Sequence, residues 1–293
     1  MSLVFRYAGI ESVRIRGIEV SLMFRNHSIF LSPLLTALLL AAAVYCQAVD
    51  PSERLAQARS FVDAANSCDT KNTKCRITAY TKAIETAPTF AEAYNGRGLV
   101  YRAAGDLDHA LADFNKVIEI DPRSAQGFYY RAIIFAAKND LPSAIEDFSK
   151  AIELLPESWA SYVGRGNAHL RSRHYQSAVS DFEKAMQIEP KAADAWYGRG
   201  MVYYLRNELP KAIADFTKAI EINPELSVAY LNRSKCLELS GDNAAALADM
   251  TKFVDMEPLD VRGYESRASL YEKLGEKEKA EADRLKAADL RKR

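Results

Sequence analysis

The sequence has few of the residues that build metal centres and nucleophilic sites. It contains four histidines and four cysteines in 293 residues, and no histidine accompanies a cysteine pair as in a zinc site. It also has no nucleophile elbow, no phosphate-binding loop and no dinucleotide fingerprint. These absences argue against an enzyme, and we expect the protein to need no cofactor and no metal.

An excess of positive charge is missing as well. Lys plus Arg and Asp plus Glu both number 39, so the formal net charge is zero. Nucleic-acid-binding proteins usually carry clustered Lys and Arg, because much of their affinity for phosphates comes from counterion release. No such excess is present here. We therefore expect no nucleic-acid partner.

The N-terminal region differs in composition from the rest of the chain. Residues 29–44, IFLSPLLTALLLAAAV, contain no charge and follow a segment that holds four arginines. The apolar part has signal-peptide length, and Cys46 and Ala48 supply the small residues that a signal peptidase inspects. We predict a leader over residues 1–48 that is cleaved after Ala48. The mature protein would then be exported, to the periplasm if the source is bacterial.

Other interpretations of the leader stay open. About 20 apolar residues can span a bilayer, and residues 29–48 reach that length only by including Pro33, Thr36 and Gln47. An uncleaved leader would be a membrane anchor and the only membrane contact of the protein. Lipid attachment at Cys46 is disfavoured, because the bulky Tyr45 stands where such signals carry a small residue. Met23 would begin a more compact signal than Met1, so the true start is also open.

A period of thirty-four residues organises the rest of the chain. Two charged columns follow it, consisting of Arg97, Arg131, Arg165, Arg199, Arg233 and Arg267, and of Asp113, Asp147, Asp181, Asp215, Asp249 and Asp283. Aromatic, small and proline residues recur in step, as at Tyr94, Gly98 and Pro122. Within each unit the apolar residues fall at helical spacings. This pattern predicts two amphipathic helices joined by a short turn.

The turn between the two helices has its own signal. Most units place there a residue type that accepts the left-handed conformation at a helix end, namely Gly105, Asn139, Asn207, Gly241 and Gly275. An acidic residue follows each of them and begins the second helix, where the helix dipole favours negative charge. We therefore predict a tight turn at these positions.

These units resemble the tetratricopeptide repeat family, which has an aromatic residue, Gly, Tyr, Ala, Phe, Ala and Pro at fixed offsets in thirty-four residues. Six units fit, at residues 91–124, 125–158, 159–192, 193–226, 227–260 and 261–293. The resemblance implies an all-α, right-handed α-solenoid of stacked antiparallel helix pairs. We interpret residues 49–90 as a linker and a degenerate capping repeat, since terminal repeats are often atypical.

Gly-Arg-Gly triplets occur at residues 96–98, 164–166 and 198–200. We interpret them as packing features, because the arginine belongs to a recurring column and the second glycine lets two helices approach closely. A phosphate-binding loop would also keep the first glycine, yet the next unit has Tyr130 at that place. The triplet therefore does not indicate a phosphate or RNA site.

The arginine and aspartate columns are predicted to form a structural charge ladder. Residues equally far from a turn lie at the same height in a helical hairpin. Asp113 is as far from the turn of its own unit as Arg97, and as far from the next connection as Arg131. We therefore expect each aspartate to lie level with an arginine on both sides. The alternative is a ligand surface lined by arginines.

Cys68 and Cys75 flank the predicted turn of the capping repeat. In an exported protein they would form a disulfide, which stabilises a loop of this length by about 2.5 kcal/mol on chain-entropy reasoning. Two free thiols are the alternative.

The resemblance implies that the first helix of each pair lines the inner wall of a superhelix, the kind of extended surface that repeat proteins use for binding. The middle of this wall is apolar and aromatic. The predicted partner-binding residues are Tyr129, Ile133, Asn167, Arg171, Tyr197, Met201, Tyr204 and Leu205. The alternative is that the tyrosines only fill the narrow inside of the superhelix.

These observations predict a non-enzymatic scaffold that binds a protein or peptide partner on the concave face and is exported to the cell envelope. Two alternatives remain open, a membrane-anchored assembly factor and a docking subunit of an enzyme complex.

Overall fold

The computed structural model describes residues 10–15, 18–23 and 50–292. Two antiparallel strands, β1 (Ile10–Ile15) and β2 (Ile18–Met23), form a hairpin in the polar part of the predicted leader. The apolar segment 29–44 and the cleavage site after Ala48 lie outside the described residues. Among the helices that the structure describes, none is both long and apolar enough to cross a bilayer.

From residue 51 onward the described chain is helical. Its fourteen helices are α1 (Pro51–Ser67), α2 (Thr73–Thr86), α3 (Ala91–Ala103), α4 (Leu107–Ile120), α5 (Ala125–Ala137), α6 (Leu141–Leu154), α7 (Trp159–Arg171), α8 (Tyr175–Ile188), α9 (Ala193–Leu205), α10 (Leu209–Ile222), α11 (Ser227–Leu239), α12 (Asn243–Met256), α13 (Val261–Lys273) and α14 (Lys277–Leu290). Consecutive helices pair into hairpins 1 to 7, from α1–α2 to α13–α14. Hairpin 1 lies in the segment predicted to be a capping repeat, and hairpins 2 to 7 correspond to the six predicted units. The predicted fold class, an all-α solenoid of stacked helix pairs, is confirmed.

A column of phenylalanines on the second helices forms the centre of the core. Phe114, Phe148, Phe182 and Phe216 are at most 1% exposed, and burying such a side chain contributes about 1.5–3 kcal/mol. The Gly-Arg-Gly triplets make room for these rings. A Cβ at Gly200 would lie 2.8 Å from Phe216 of the same hairpin, and a Cβ at Gly198 would overlap Phe182 of the preceding one. Both glycines of the triplet therefore pack directly against phenylalanine.

The turns adopt the predicted left-handed conformation, with φ of 80° at Gly105, 65° at Asn139, 59° at Asn207, 86° at Gly241 and 81° at Gly275. The prediction missed hairpin 4, in which Arg173 has φ of 61°. The acidic residue after the turn caps the second helix in three hairpins, where Asp106, Asp140 and Asp242 accept from the N–H three residues on. In hairpin 4 this position is His174, whose side chain makes no cap hydrogen bond.

The first helices lie on the inner side of the stack. Helix α7 contacts α5 and α9 directly, and α9 also contacts α11, although a second helix separates each of these pairs in sequence. No pair of second helices among the described hairpins makes as much contact as these three pairs of first helices. The first helices therefore lie on the concave side of the stack. Their faces that point away from the second helices form the concave wall.

The last helix presents a polar surface where hairpins 2 to 5 have phenylalanine. Arg284 occupies the place of Phe216 in the period, is exposed, and forms a salt bridge with Glu272. The buried residues of α14 are Ala280, Asp283 and Ala287. This composition is suited to a helix that packs on one side only.

Candidate partner-binding surface

Each hairpin of the predicted repeats contains one bidentate ion pair. In hairpin 5, Arg199 donates from Nε to Asp215 Oδ2 at 2.8 Å and from Nη2 to Oδ1 at 2.9 Å. The equivalent pairs, with distances from 2.7 to 3.0 Å, are Arg97–Asp113, Arg131–Asp147, Arg165–Asp181, Arg233–Asp249 and Arg267–Asp283. Donation to Asp215 raises the pKa of Arg199 above its ordinary value. Bidentate pairs of this kind are among the stronger hydrogen bonds in proteins.

Aromatic rings cover the guanidinium groups. The Cζ of Arg199 lies 5.2 Å from the ring centroid of Trp196 and 5.7 Å from that of Tyr203. These residues are three positions before and four positions after the arginine, so all three lie on one face of α9. Most of the other arginines have a similar environment. Because the rings and the aspartate surround them, these arginines offer little surface to a ligand.

The expected continuation of the charge ladder from one hairpin to the next is not observed among the described repeats. Arg131 does not pair with Asp113 of the preceding hairpin; its Nη1 donates to Asn115 Oδ1 at 2.9 Å. The carboxylate of Asp113 is already held by both nitrogens of Arg97. The third donor of the arginine therefore reaches a residue two positions further along α4. The equivalent acceptors elsewhere are Thr81, Ser149, Glu183 and Thr217.

Hairpin 1 carries the two cysteines at its turn. The structure joins Cys68 and Cys75 by a disulfide, with a Cα–Cα distance of 6.2 Å. Asn72 lies inside the loop and caps α2 by accepting from the backbone N–H of Cys75. The turn of hairpin 1 is therefore closed by a covalent bond, whereas the six repeat hairpins have a left-handed residue.

Two of the predicted binding residues lie on α5. Tyr129 packs edge-on against Phe148 of the same hairpin at 5.8 Å between ring centroids, and Ile133 packs against the same cluster. Both side chains are half-buried. Burial raises the pKa of the Tyr129 hydroxyl. Tyr129 thus fills part of the inner wall and leaves part of its surface accessible.

Four predicted residues lie on α9, and only the last of them is exposed. Tyr197 packs against Phe216 at 5.7 Å and accepts a 2.9 Å hydrogen bond from Asn232 Nδ2 of the next hairpin. Burial raises its pKa. Met201 and Tyr204 are half-buried, whereas Leu205 is 51% exposed. Tyr197 is therefore mainly a packing residue, and Leu205 is the most accessible of the four.

The two predicted residues on α7 differ from each other. Asn167 is exposed. Arg171 donates to the carbonyl of Ala136 at 2.8 Å and to Asn139 Oδ1 at 2.9 Å. Because a cation at a helix C-terminus is stabilising, Arg171 fastens hairpin 4 to the end of α5 and has less capacity for a partner.

Two residues outside the predicted partner-binding set also belong to this surface. Tyr130 stacks on Phe114 of the preceding hairpin with ring centroids 5.5 Å apart. The Cζ of Arg102 lies 5.6 Å from the ring centroid of Tyr130. The available signal was the replacement of the first glycine of the triplet by tyrosine, which places a large ring where other hairpins have none.

Stacked helix pairs of this geometry define an α-solenoid scaffold for protein–protein interaction. Family models described as tetratricopeptide repeat match residues 91–124, 160–191, 193–226 and 240–291. The chain belongs to the tetratricopeptide repeat family. Comparison with curated proteins gave no significant match.

Solved structures show the same fold. A tetratricopeptide repeat protein from Parabacteroides merdae has 20% identity and a TM-score of 0.62, with 82% of this chain and 93% of that chain covered. PilF of Pseudomonas aeruginosa has 20% identity and a TM-score of 0.63, with 68% and 91% covered. The Cut9–Hcn1 hetero-tetramer of the APC/C has 15% identity and a TM-score of 0.66, with 88% and 49% covered. At these identities the likeness concerns the fold alone.

Proposed function

We propose that this protein is a non-enzymatic scaffold that binds a peptide segment or a partner helix along the concave wall formed by its first helices. The observation that carries the proposal is the exposed apolar surface at the C-terminal ends of these helices. Leu205 is 51% exposed, and Leu239, at the equivalent position of α11, is 63% exposed. Because α9 and α11 contact each other, we expect the two leucines on the same side of the stack, and contiguous exposed apolar surface is typical of binding sites.

The half-buried residues beside these leucines support the same function. Met201 and Tyr204 lie on the same helix as Leu205 and keep part of their surface accessible. Aromatic and methionine side chains are enriched at protein interfaces, where a few anchors supply most of the affinity. The arginine column supports binding less well, because each arginine is held by an aspartate.

Selection of a phage-displayed library of random dodecapeptides on the purified protein tests this proposal. We expect enrichment on the wild-type protein and a loss of about tenfold or more in affinity for a selected peptide in Leu205→Asp. Leu285→Asp is the matched control, since Leu285 is 64% exposed on the last helix. No enrichment on the wild type, or equal losses in both variants, would contradict the proposal. Catalytic turnover abolished by a single inner-wall substitution would favour an enzyme instead.

We also propose that the protein is exported to the cell envelope, with the leader over residues 1–48 removed. The uncharged stretch at residues 29–44 and the small residues that follow it support this. Intact-mass measurement of protein recovered from its native cells tests the proposal. A mature N-terminus at Val49 is expected. An intact leader would indicate the membrane-anchored alternative.

A further inference from the structure

One cavity lies beside the inner wall, between the beginnings of hairpins 3 and 4. Its volume is about 420 Å³, within the range of roughly 300–1,000 Å³ that is typical of ligand pockets. Residues from both hairpins line it, including Gln126, Tyr129, Tyr130, Leu155, Ala160 and Ser161.

Large side chains of α5 and small ones of α7 line the cavity. Helix α5 carries Tyr129 and Tyr130, whereas the equivalent positions of α7 hold Val163 and Gly164. Ala160 begins the opposite wall, at the place where hairpin 3 has a glutamine. Phe148 occupies the space at Gly164, so the small residues of α7 that border the cavity are Ala160 and Ser161.

The lining combines apolar surface with a few polar groups. Leu155 forms part of the rim and is 52% exposed. On the floor, the hydroxyl of Ser161, a residue that is 1% exposed, lies 2.8 Å from the hydroxyl of Ser158. Since these two hydroxyls bond to each other, the cavity is suited to an apolar side chain with at most one polar atom.

The charges on either side of the tyrosine pair have opposite signs. Arg102 lies over the ring of Tyr130 and, within residues 50–292, forms no salt bridge. Asp194 is exposed in the first turn of α9 and also has no salt bridge in that range. Both charges act on Tyr129: burial is the main cause that raises its pKa, Arg102 acts in the opposite direction, and Asp194 acts in the same direction as burial. An acidic group is thus attracted on the α3 side of the cavity and repelled on the α9 side.

We propose that this cavity holds one apolar anchor side chain of an extended peptide, and that an acidic residue of the same peptide pairs with Arg102. The proposal rests on the proposed function and specifies the chemistry of its partner. Arginine is well suited to this role, because its planar guanidinium can donate two parallel hydrogen bonds to a carboxylate while its face stacks on an aromatic ring.

Peptide selection with charge reversal tests the inference. Dodecapeptides selected on the wild-type protein are expected to share a large apolar residue with Asp or Glu on one side of it. Arg102→Glu should replace that acid by Lys or Arg in the selected peptides. Lys252→Glu is the control, because Lys252 is exposed on the second helix of hairpin 6 and makes the same change in charge.

Filling the cavity is the second arm. Ala160→Phe should weaken binding of a wild-type-selected peptide by about tenfold and reduce the size of the selected anchor residue. Circular dichroism and the thermal midpoint of each variant establish that it is folded. For Arg102→Glu, replacing the acid of the peptide by Lys should restore binding, which a folding defect would not permit.

The outcomes separate this inference from the proposed function. If the wild-type protein selects peptides, but the consensus is the same in Arg102→Glu and Ala160→Phe, the concave wall binds peptides and the anchor site is wrong. If the wild type selects none, both are wrong. If Ala160→Phe abolishes self-association in light scattering without changing peptide selection, a second copy of the chain occupies the cavity and the peptide anchor is overturned.

Discussion

Hairpins 4 and 5 hold the same ion pair in different surroundings. In both, an arginine donates two hydrogen bonds of 2.7 to 3.0 Å to an aspartate sixteen residues later. In hairpin 5 the guanidinium lies between Trp196 and Tyr203. In hairpin 4 the second aromatic is replaced by His169, whose Nδ1 is buried without a hydrogen-bond partner. The geometry of the pair is thus set by the hairpin backbone, and it tolerates a poorer environment.

The turns of the same two hairpins differ in a similar way. Asn207 of hairpin 5 has φ of 59°, and Arg173 of hairpin 4 has φ of 61°. Asparagine adopts the left-handed conformation readily, because its short polar side chain can hydrogen-bond to the local backbone. The long side chain of arginine gives no such support. The stack therefore imposes the turn on a residue that does not favour it. Hairpin 4 contains two local costs that hairpin 5 lacks or reduces, at His169 and Arg173.

The largest effect is expected from breaking the ion pair itself. Asp215→Ala and Asp181→Ala should each lower the free energy of unfolding by about 3–5 kcal/mol, because a half-buried arginine loses its partner. Urea denaturation measures this, with Glu221→Ala as the control. Glu221 pairs with Lys218 on the exposed side of α10 and should cost about 0–1 kcal/mol. A double-mutant cycle of Arg199 and Asp215 that gives additive losses would show that the pair is not coupled.

Restoring the aromatic residue of hairpin 4 should have the next largest effect. His169→Tyr removes a buried unpaired nitrogen and places a ring beside Arg165, so we expect a gain of about 1–2 kcal/mol. The measurement is again urea denaturation at pH 7. The reverse change in hairpin 5, Tyr203→His, should lower the stability by a similar amount. An unchanged urea midpoint in both variants would show that the residue at positions 169 and 203 does not make the two hairpins differ in stability.

A smaller gain is expected from relieving the turn. Arg173→Gly should raise the free energy of unfolding by up to about 1 kcal/mol, because glycine adopts positive φ without a steric penalty but loses more entropy on folding. Asn207→Gly serves as the comparison and should change the stability less. Equal effects at the two turns would mean that Arg173 is not strained.

The dependence on pH should be the smallest difference. Burial lowers the pKa of His169 below 6.5, with Arg165 and His174 acting in the same direction and Asp181 against them. The unfolded chain then binds more protons than the folded one, so stability decreases as pH falls below 6.5 toward the lowered pKa. The difference in thermal midpoint between His169→Tyr and the wild type should widen over that range. A constant difference would exclude titration of His169.

The period of the sequence predicted the hairpins and five of the six left-handed turns, because packing positions and glycine or asparagine recur visibly. Arg173 was missed because its conformation comes from the packing of neighbouring hairpins. The pairing of Arg97 with Asp113 followed from their equal distance from the turn. The acceptor of the third arginine donor could not be predicted in this way, because it depends on how adjacent hairpins are staggered.

The inner wall was predicted less completely than the core. The helical period correctly placed Tyr129 and Tyr197 on first helices, but it could not show how much of each ring packs on the phenylalanine of its own hairpin. The cavity beside Tyr130 depends on two adjacent hairpins with different side-chain sizes. Equivalent positions of the repeats do not show such a difference, because the side chains involved are neighbours in space and not in the period.

The disulfide of hairpin 1 affects where the stack of hairpins begins to unfold. A chain of stacked units that touch only their neighbours opens from its termini. The Cys68–Cys75 disulfide closes the turn of hairpin 1, the first of the described hairpins. Helix α14, the last one, buries only three small or polar residues. We therefore expect the repeats to unfold first from the C-terminal end. A protease should shorten this protein progressively from its C-terminus, and reduction of the disulfide should make both ends vulnerable.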